Sequence, residues 1–275
     1  MKIKKGNLKK VNINKLLKNK SKDIKTIIST TLNISYSDLI LKKDNNISFF
    51  DYIKCKKNIK KYNKGVPLQY ILKKSYFYNN EFYVNKNVLI PRPETEILIE
   101  KLYNAIKDKK NINILDIGTG SGIIAITLKK LIPTSSVDAI DISKKALKVA
   151  KYNAKKNNTN INFIHSDLYQ NINKKYDVIV SNPPYISYDG IVDYNVKKYE
   201  PSIALFAKDN GLEYYKRIIK DIDKYLKKDG ILAFEIGYDQ KEKIIKELNK
   251  DNKYRINTYK DYNNFDRVMI IKMNK

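Results

Sequence analysis

From residue 112 to residue 272 the chain alternates short apolar runs with longer amphipathic stretches, and few folds accept that order. The runs 112–117, 137–142, 161–164, 176–181 and 230–236 are short and read as strands. The stretches 123–131, 144–156, 212–226 and 239–249 carry the helical period. Such alternation predicts an α/β fold: a parallel, doubly wound sheet with helices on both faces. Two more runs, 254–259 and 267–272, are separated by little chain, which predicts an antiparallel hairpin at one edge.

The region before residue 112 follows other rules. Residues 1–10 are basic without an apolar core and are expected to be a disordered tail, not a secretory signal. Residues 11–73 space their apolar positions as short helices do: Ile13, Leu16 and Leu17; Ile24, Ile27 and Ile28; Tyr36, Leu39 and Ile40; Phe49, Tyr52 and Ile53. A small helical domain is expected there, without a catalytic constellation. Aromatics alternating around Asn79-Asn80 predict a β-hairpin linker over 74–90. The sheet domain is expected over 91–275, opening on a helix with Pro93 in its first turn and acids after it.

The net charge of +26 invites a nucleic-acid reading. Only four of the 55 basic residues are Arg, however, and the lysines are spread along the whole chain among Asn, Ile and Tyr, residues with A/T-rich codons. Compositional drift explains that pattern, and direct nucleic-acid binding is not expected. One cysteine, Cys55, excludes an internal disulfide. No run approaches the roughly 18 apolar residues of a membrane span. A soluble, monomeric cytoplasmic protein is expected. No His/Cys/Asp cluster has metal-ligand spacing, so no metal is expected.

Four features converge on the carboxyl edge of the expected sheet. The first strand ends in Asp116-Ile-Gly118-Thr119-Gly120-Ser121-Gly122, where glycines let the backbone turn tightly and approach a ligand. The spacing departs from the dinucleotide fingerprint. The leading Asp116 would repel a pyrophosphate but favour a ligand carrying ammonium and sulfonium charges. Asp141 ends the second strand, where a carboxylate accepts from ribose hydroxyls, and Ser143 is better placed to cap the next helix. Asp167 follows the third strand and can accept from an adenine amino group, with Leu168 covering the ring. A solvent-facing loop Asp is the plain alternative. His165 has no evident nucleophile or metal-ligand partner and reads as a strand-end residue.

The fourth feature is Asn182-Pro183-Pro184-Tyr185, closing the fourth strand. Asn before two prolines puts an amide on a stiff, non-helical backbone that presents mainly carbonyl oxygens. It is either a strand-ending turn or an acceptor-rich cradle for a planar –NH2 group, with Tyr185 against the plane. Together the four describe an S-adenosylmethionine-dependent methyltransferase acting on a planar nitrogen, releasing S-adenosylhomocysteine. By itself the tetrapeptide does not distinguish glutamine from adenine.

Further motifs stand outside that edge: Pro67-Leu-Gln-Tyr-Ile71, Ile90-Pro-Arg-Pro-Glu-Thr-Glu96, Tyr199-Glu-Pro-Ser-Ile-Ala-Leu205 and Phe234-Glu-Ile-Gly237. With them the chain resembles the HemK/PrmC family, protein-(glutamine-N5) methyltransferases that modify class I peptide chain release factors. The resemblance covers nearly everything from about residue 60 onward. It implies a Rossmann-like class I methyltransferase domain with a seven-stranded, mostly parallel sheet, a hairpin linker and a five-helix N-terminal domain that docks the substrate. It implies that Gly118 to Gly122 hold the methionine part of S-adenosylmethionine, Asp141 the ribose, and Asp167 and Leu168 the adenine, with Asp116 and Asn182 also among the cofactor-binding residues. It implies that Asn182, Pro183 and Tyr185, with Pro184 beside them, hold the glutamine of a Gly-Gly-Gln loop, and that residues 91–96 border the crevice. Two positions depart from the pattern: Lys73 and, within Asp261-Tyr-Asn-Asn264, Asn264 stand where glycine is usual. Methylation of adenine N6 in DNA or RNA is the rival enzyme reading, and a non-catalytic adaptor the rival outside enzymes.

Overall fold

The computed structural model describes residues 10–17, 21–41, 45–248 and 253–273. Of the expected tail, residues 1–9 lie outside the described residues, whereas Lys10 opens a strand. The chain divides into two compact units, Met1–Lys73 and Lys74–Lys275.

In the smaller unit a two-stranded antiparallel ladder pairs β1 (Lys10–Asn12) with β2 (Asn46–Ser48). The spacing of Ile13, Leu16 and Leu17 predicts a helix; the structure has that strand and a single 3-10 turn, Ile13–Lys15, capped by Asn12. Around the ladder lie α1 (Lys22–Leu32), α2 (Tyr36–Leu41), α3 (Phe49–Asn63) and α4 (Leu68–Leu72). Their core is Ile13, Leu16, Ile24, Ile28, Leu39 and Cys55. The described residues of this unit hold four α-helices, not five.

Lys73 ends α4 at φ 57, the left-handed conformation a C-cap commonly takes. Asn264 likewise sits at φ 66. Both departures from glycine therefore keep the backbone geometry that glycine favours. Asn tolerates it through its short polar side chain, and Lys bears it as strain.

The larger unit opens on a hairpin, β3 (Ser75–Phe77) and β4 (Asn80–Phe82), turning at Tyr78 and Asn79 with both φ angles positive. Next comes α5 (Pro93–Ile106), with Pro93 in its first turn. The alternation then runs β5 (Asn113–Ile117), α6 (Ile123–Leu131), β6 (Ser136–Asp141), α7 (Lys144–Lys156), β7 (Asn162–His165), β8 (Tyr176–Ser181). An irregular stretch holds β9 (Ile186–Ser187), α8 (Tyr194–Tyr199) and β10 (Phe206–Ala207). The chain closes with α9 (Glu213–Tyr225), β11 (Leu226–Glu235), α10 (Lys241–Leu248), β12 (Tyr254–Lys260) and β13 (Asp266–Met273).

Seven strands form one sheet in the order β12-β13-β11-β8-β5-β6-β7. The five from β11 to β7 are parallel; β13 runs antiparallel between β11 and β12, which makes the expected edge hairpin. Alternate residues serve opposite faces, as the pleat requires. Ile114, Val178 and Ile231 join the core shared with α5, α6 and α7, while Leu115, Ile179 and Leu232 join the core shared with α9 and α10. Burying each such side chain contributes about 1.5–3 kcal/mol before ordering costs. The strand order reverses between β8 and β5, and open α/β sheets bind ligands outside the carboxyl ends at such a point.

Candidate active site

A cleft opens at that reversal. Gly118, Thr119, Gly120 and Ser121 line it after β5, with Asp141 at the end of β6, Asp167 and Leu168 after β7, and Asn182, Pro183 and Pro184 after β8. Pro91, Arg92 and Thr95 at the start of α5 line it too, as do Ile203 and Tyr214.

The glycine loop hangs on its neighbours by backbone bonds. The N–H groups of Gly118 and Thr119 both donate to the Ile140 carbonyl at 2.9 Å, and Gly122 N donates to Thr119 O at 2.8 Å. Gly118 and Gly120 have positive φ, and a Cβ on either would meet no protein atom closer than 3.9 Å. Both face open cleft, so the loop has room for a ligand at its backbone. Gly122 differs: it lies outside the lining, and its Cβ would meet Ile126 and Ala150 at 3.0 and 3.2 Å. Its glycine serves the packing of α6 on α7.

Asp116 lies beneath the loop and does not reach the cleft surface. It is fully buried, and Oδ2 accepts from Thr119 Oγ1 (2.6 Å) and Ala125 N (3.2 Å), tying the loop to the first turn of α6. Oδ1 is buried with no hydrogen-bond partner among the described residues. Burial pushes this carboxyl up to about 7, against the Thr119 and Ala125 bonds, with Asp141 adding to the rise.

Asp141 accepts Gly120 N at Oδ2 (2.9 Å) and Ser143 N at Oδ1 (2.8 Å). Each oxygen keeps lone-pair capacity for a hydroxyl donor. Burial pushes its carboxyl up; the Ser143 and Gly120 N–H groups and His165 oppose this. Ser143 caps α7, its Oγ accepting from Ala146 N, which leaves Asp141 facing the cleft. His165 ends β7 and donates from Nε2 to the Ile142 carbonyl at 2.9 Å, a strand-end role.

Asp167 is not a free loop carboxylate. Both its oxygens lie 2.8 Å from Nη2 of Arg217 on α9. Leu168 beside it takes φ 47, a strained value for a γ-branched residue, braced by Ser166 Oγ donating to its carbonyl.

Asn182 stands one residue past β8. Its Nδ2 donates to Thr95 Oγ1 (3.2 Å), and Thr95 Oγ1 donates to Glu235 Oε2 (2.6 Å). Glu235 is buried, and burial pushes it up to about 7; the Thr95 bond, Arg267 and Asn182 oppose the rise, and Glu94 adds to it. A second buried acid, Glu200, accepts from Arg92 and from Ile90 N, fastening residues 90–92 to the rim. Tyr185 does not line the cleft. Its ring packs on the α9 side of the sheet, and its carbonyl accepts from Gln240 Nε2 at 2.9 Å.

The sequence-expected residues thus meet at one edge, except that Asp116 and Gly122 sit behind the loop and Tyr185 beside the core. Thr95 lies in the segment 91–96 expected at the crevice, but its bonds, and those of Glu235, Glu200 and Arg217, are not marked in the sequence. Three of these residues lie inside motifs visible there, Pro93-Glu-Thr95, Glu200-Pro201 and Phe234-Glu235; Arg217 sits on an amphipathic helix and carries no such signal.

A family model described as a methyltransferase small domain matches residues 93–198. A Fusobacterium nucleatum protein named release factor glutamine methyltransferase is 43% identical over 256 residues, covering 91% of this chain and 70% of the relative. A Bacillus subtilis protein of the same name is 40% identical, covering 80% of each. Among solved structures, a Pyrococcus furiosus methyltransferase superposes with a TM-score of 0.55 at 19% identity, over 79% of this chain and 96% of that one, a likeness of fold.

Proposed function

This chain belongs to the release factor glutamine methyltransferase family, and from that premise we propose that it methylates the side-chain amide nitrogen (N5) of a glutamine in class I release factors, at their Gly-Gly-Gln loop, using S-adenosylmethionine. The observation that carries the reading is the placement of Asn182 and Pro183 on the same cleft as the open glycine loop and Asp141. One end offers acceptors for an –NH2 group; the other offers backbone and carboxylate for a nucleoside with a charged tail.

The residues fit S-adenosylmethionine. Gly118 and Gly120 leave space for its methionine part, Asp141 has acceptor capacity for ribose hydroxyls, and Leu168 gives an apolar cover for adenine. Asp167, held by Arg217, faces the same end. When bound, S-adenosylmethionine supplies an activated methyl on a sulfonium, so the protein needs no metal and no covalent intermediate.

The amide nitrogen of glutamine is a poor nucleophile because its lone pair is delocalised. Asn182 Oδ1 and the Pro183 carbonyl accept its two N–H bonds, which orients the nitrogen and favours positive charge developing there during transfer. As the N–C bond forms, the methyl–sulfur bond would break to leave S-adenosylhomocysteine, and the extra proton on nitrogen then passes to solvent water. The smaller unit docks the release factor, and the enzyme acts in the cytoplasm as a monomer. No helix among the described residues is long and apolar enough to cross a membrane.

Asn182→Ala tests the assignment. Turnover on release factor should fall by about a hundredfold or more, while S-adenosylmethionine affinity, read by calorimetry, stays within a few-fold. Wild-type turnover in that variant would remove the reading.

A further inference from the structure

We propose that Thr95 and Glu235 are positioning residues whose hydrogen-bond relay turns the Asn182 amide so that Oδ1, not Nδ2, faces the glutamine nitrogen. The inference rests on the function proposed above.

The two ends of a carboxamide are nearly alike in shape, so the surrounding network decides which way it points. With Glu235 ionised, the network has one consistent assignment. An ionised carboxylate only accepts, and a threonine hydroxyl has one proton to give. With Glu235 Oε2 at 2.6 Å, that proton points to Glu235. Thr95 Oγ1 then offers only lone pairs to its other neighbour. The Asn182 atom it meets at 3.2 Å must be the donor, Nδ2. Because the amide is planar, fixing Nδ2 inward turns Oδ1 outward, to the cleft that Asn182 lines. A glutamine –NH2 meeting Oδ1 has a partner; meeting Nδ2 it would set donor against donor.

Three separate elements build the relay. Phe234 of β11 pairs with Ser181 of β8, so Glu235 and Asn182 both lie one residue beyond the same rung. Thr95 bridges them from the first turn of α5. Glu235 is 1% exposed and Thr95 1%. Keeping a carboxylate there is costly unless it has work to do, and an apolar side chain of similar size would pack without that cost. The relay accounts for an acid at this point of the sheet edge.

Thr95→Val keeps the side-chain shape and deletes the hydroxyl; Glu235→Leu breaks the relay from its other end. Each is expected to lower kcat on release factor by about 10- to 100-fold, with S-adenosylmethionine affinity within a few-fold of wild type. Thr95→Ser should recover most of the rate lost in Thr95→Val. The decisive readout is competition between release factor and the same factor with its acceptor glutamine replaced by glutamate. Wild type should favour glutamine, and Thr95→Val should erode that preference by about tenfold or more, because an inverted amide now donates to a carboxylate. Cofactor titration and thermal melting show which variants are folded, and either folded variant suffices. A folded Thr95→Val or Glu235→Leu with wild-type kcat and undiminished glutamine preference overturns the relay and leaves the proposed function standing. A wild-type protein that does not methylate the glutamine overturns both.

Discussion

Thr95 and Glu235, 140 residues apart in the chain, share a buried hydrogen bond of 2.6 Å that sits directly behind Asn182. The bond has a sense only while Glu235 is ionised. A protonated Glu235 donates to Thr95, frees the threonine proton for Asn182 Oδ1 and inverts the amide.

That sense gives a pH dependence. Glu235 is pushed up to about 7 by burial, with Thr95, Arg267 and Asn182 opposing and Glu94 reinforcing. Tyr185 and Tyr215 complete its electrostatic surroundings. The kcat for release-factor methylation should therefore rise through about pH 7 and level off above it. Glu235→Gln should abolish that limb; a limb that persists would locate the titration elsewhere.

Stability should move the other way. Asp116 and Glu235 hold their protons when folded at pH values where the unfolded chain has lost them. Their folded values are raised, so the stability they contribute is complete below the ordinary carboxylate range and is lost as pH rises through about 7. Asp116→Asn should flatten the fall in denaturation free energy between about pH 4 and pH 7 by roughly 3 kcal/mol at most. An unchanged slope in urea titrations would contradict the burial argument.

Lys73 invites a stabilising change. It holds φ 57 at the end of α4 without glycine's freedom. Lys73→Gly should raise stability by about 1 kcal/mol and the melting temperature with it. A lower melting temperature would show that the lysine side chain contributes more than its backbone strain costs.

Gly211 allows no such exchange. It sits at φ 83, and a Cβ there would stand 2.1 Å from the Tyr185 carbonyl and 2.5 Å from Gln240 Nε2. Gly211→Ala should therefore push residues 184–185 out of place. Both the melting temperature and kcat should drop, the loss in stability being about 2 kcal/mol or more.

Much of the sheet domain was legible. The bounds of α6, α7 and β8 fall at 123–131, 144–156 and 176–181 as the periodicity predicts, because each is long enough to show its period and Ser143 marks a start. The two-residue strands β9 and β10 are too short to show a period, and the short helix α8 between them buries no residue that would mark a face. In the smaller unit, the helix-like spacing of Ile13, Leu16 and Leu17 concealed β1, whose Lys10 pairs with Ser48, far along the chain. At the site, residues carrying chemistry at strand ends were readable one by one. Their partners were not: Arg217 reaches Asp167 and Glu235 reaches Thr95 only through the fold, and the motif holding Glu235 names no role for it.

The atom that receives the methyl group distinguishes a protein substrate from a nucleic acid. Wild-type protein incubated with methyl-labelled S-adenosylmethionine and either release factor or DNA, followed by mass spectrometry of both, reads it directly. Label is expected on the side-chain nitrogen of the release-factor glutamine and none on DNA. Label on adenine, or release factor left unmodified at that glutamine, would contradict the proposed function.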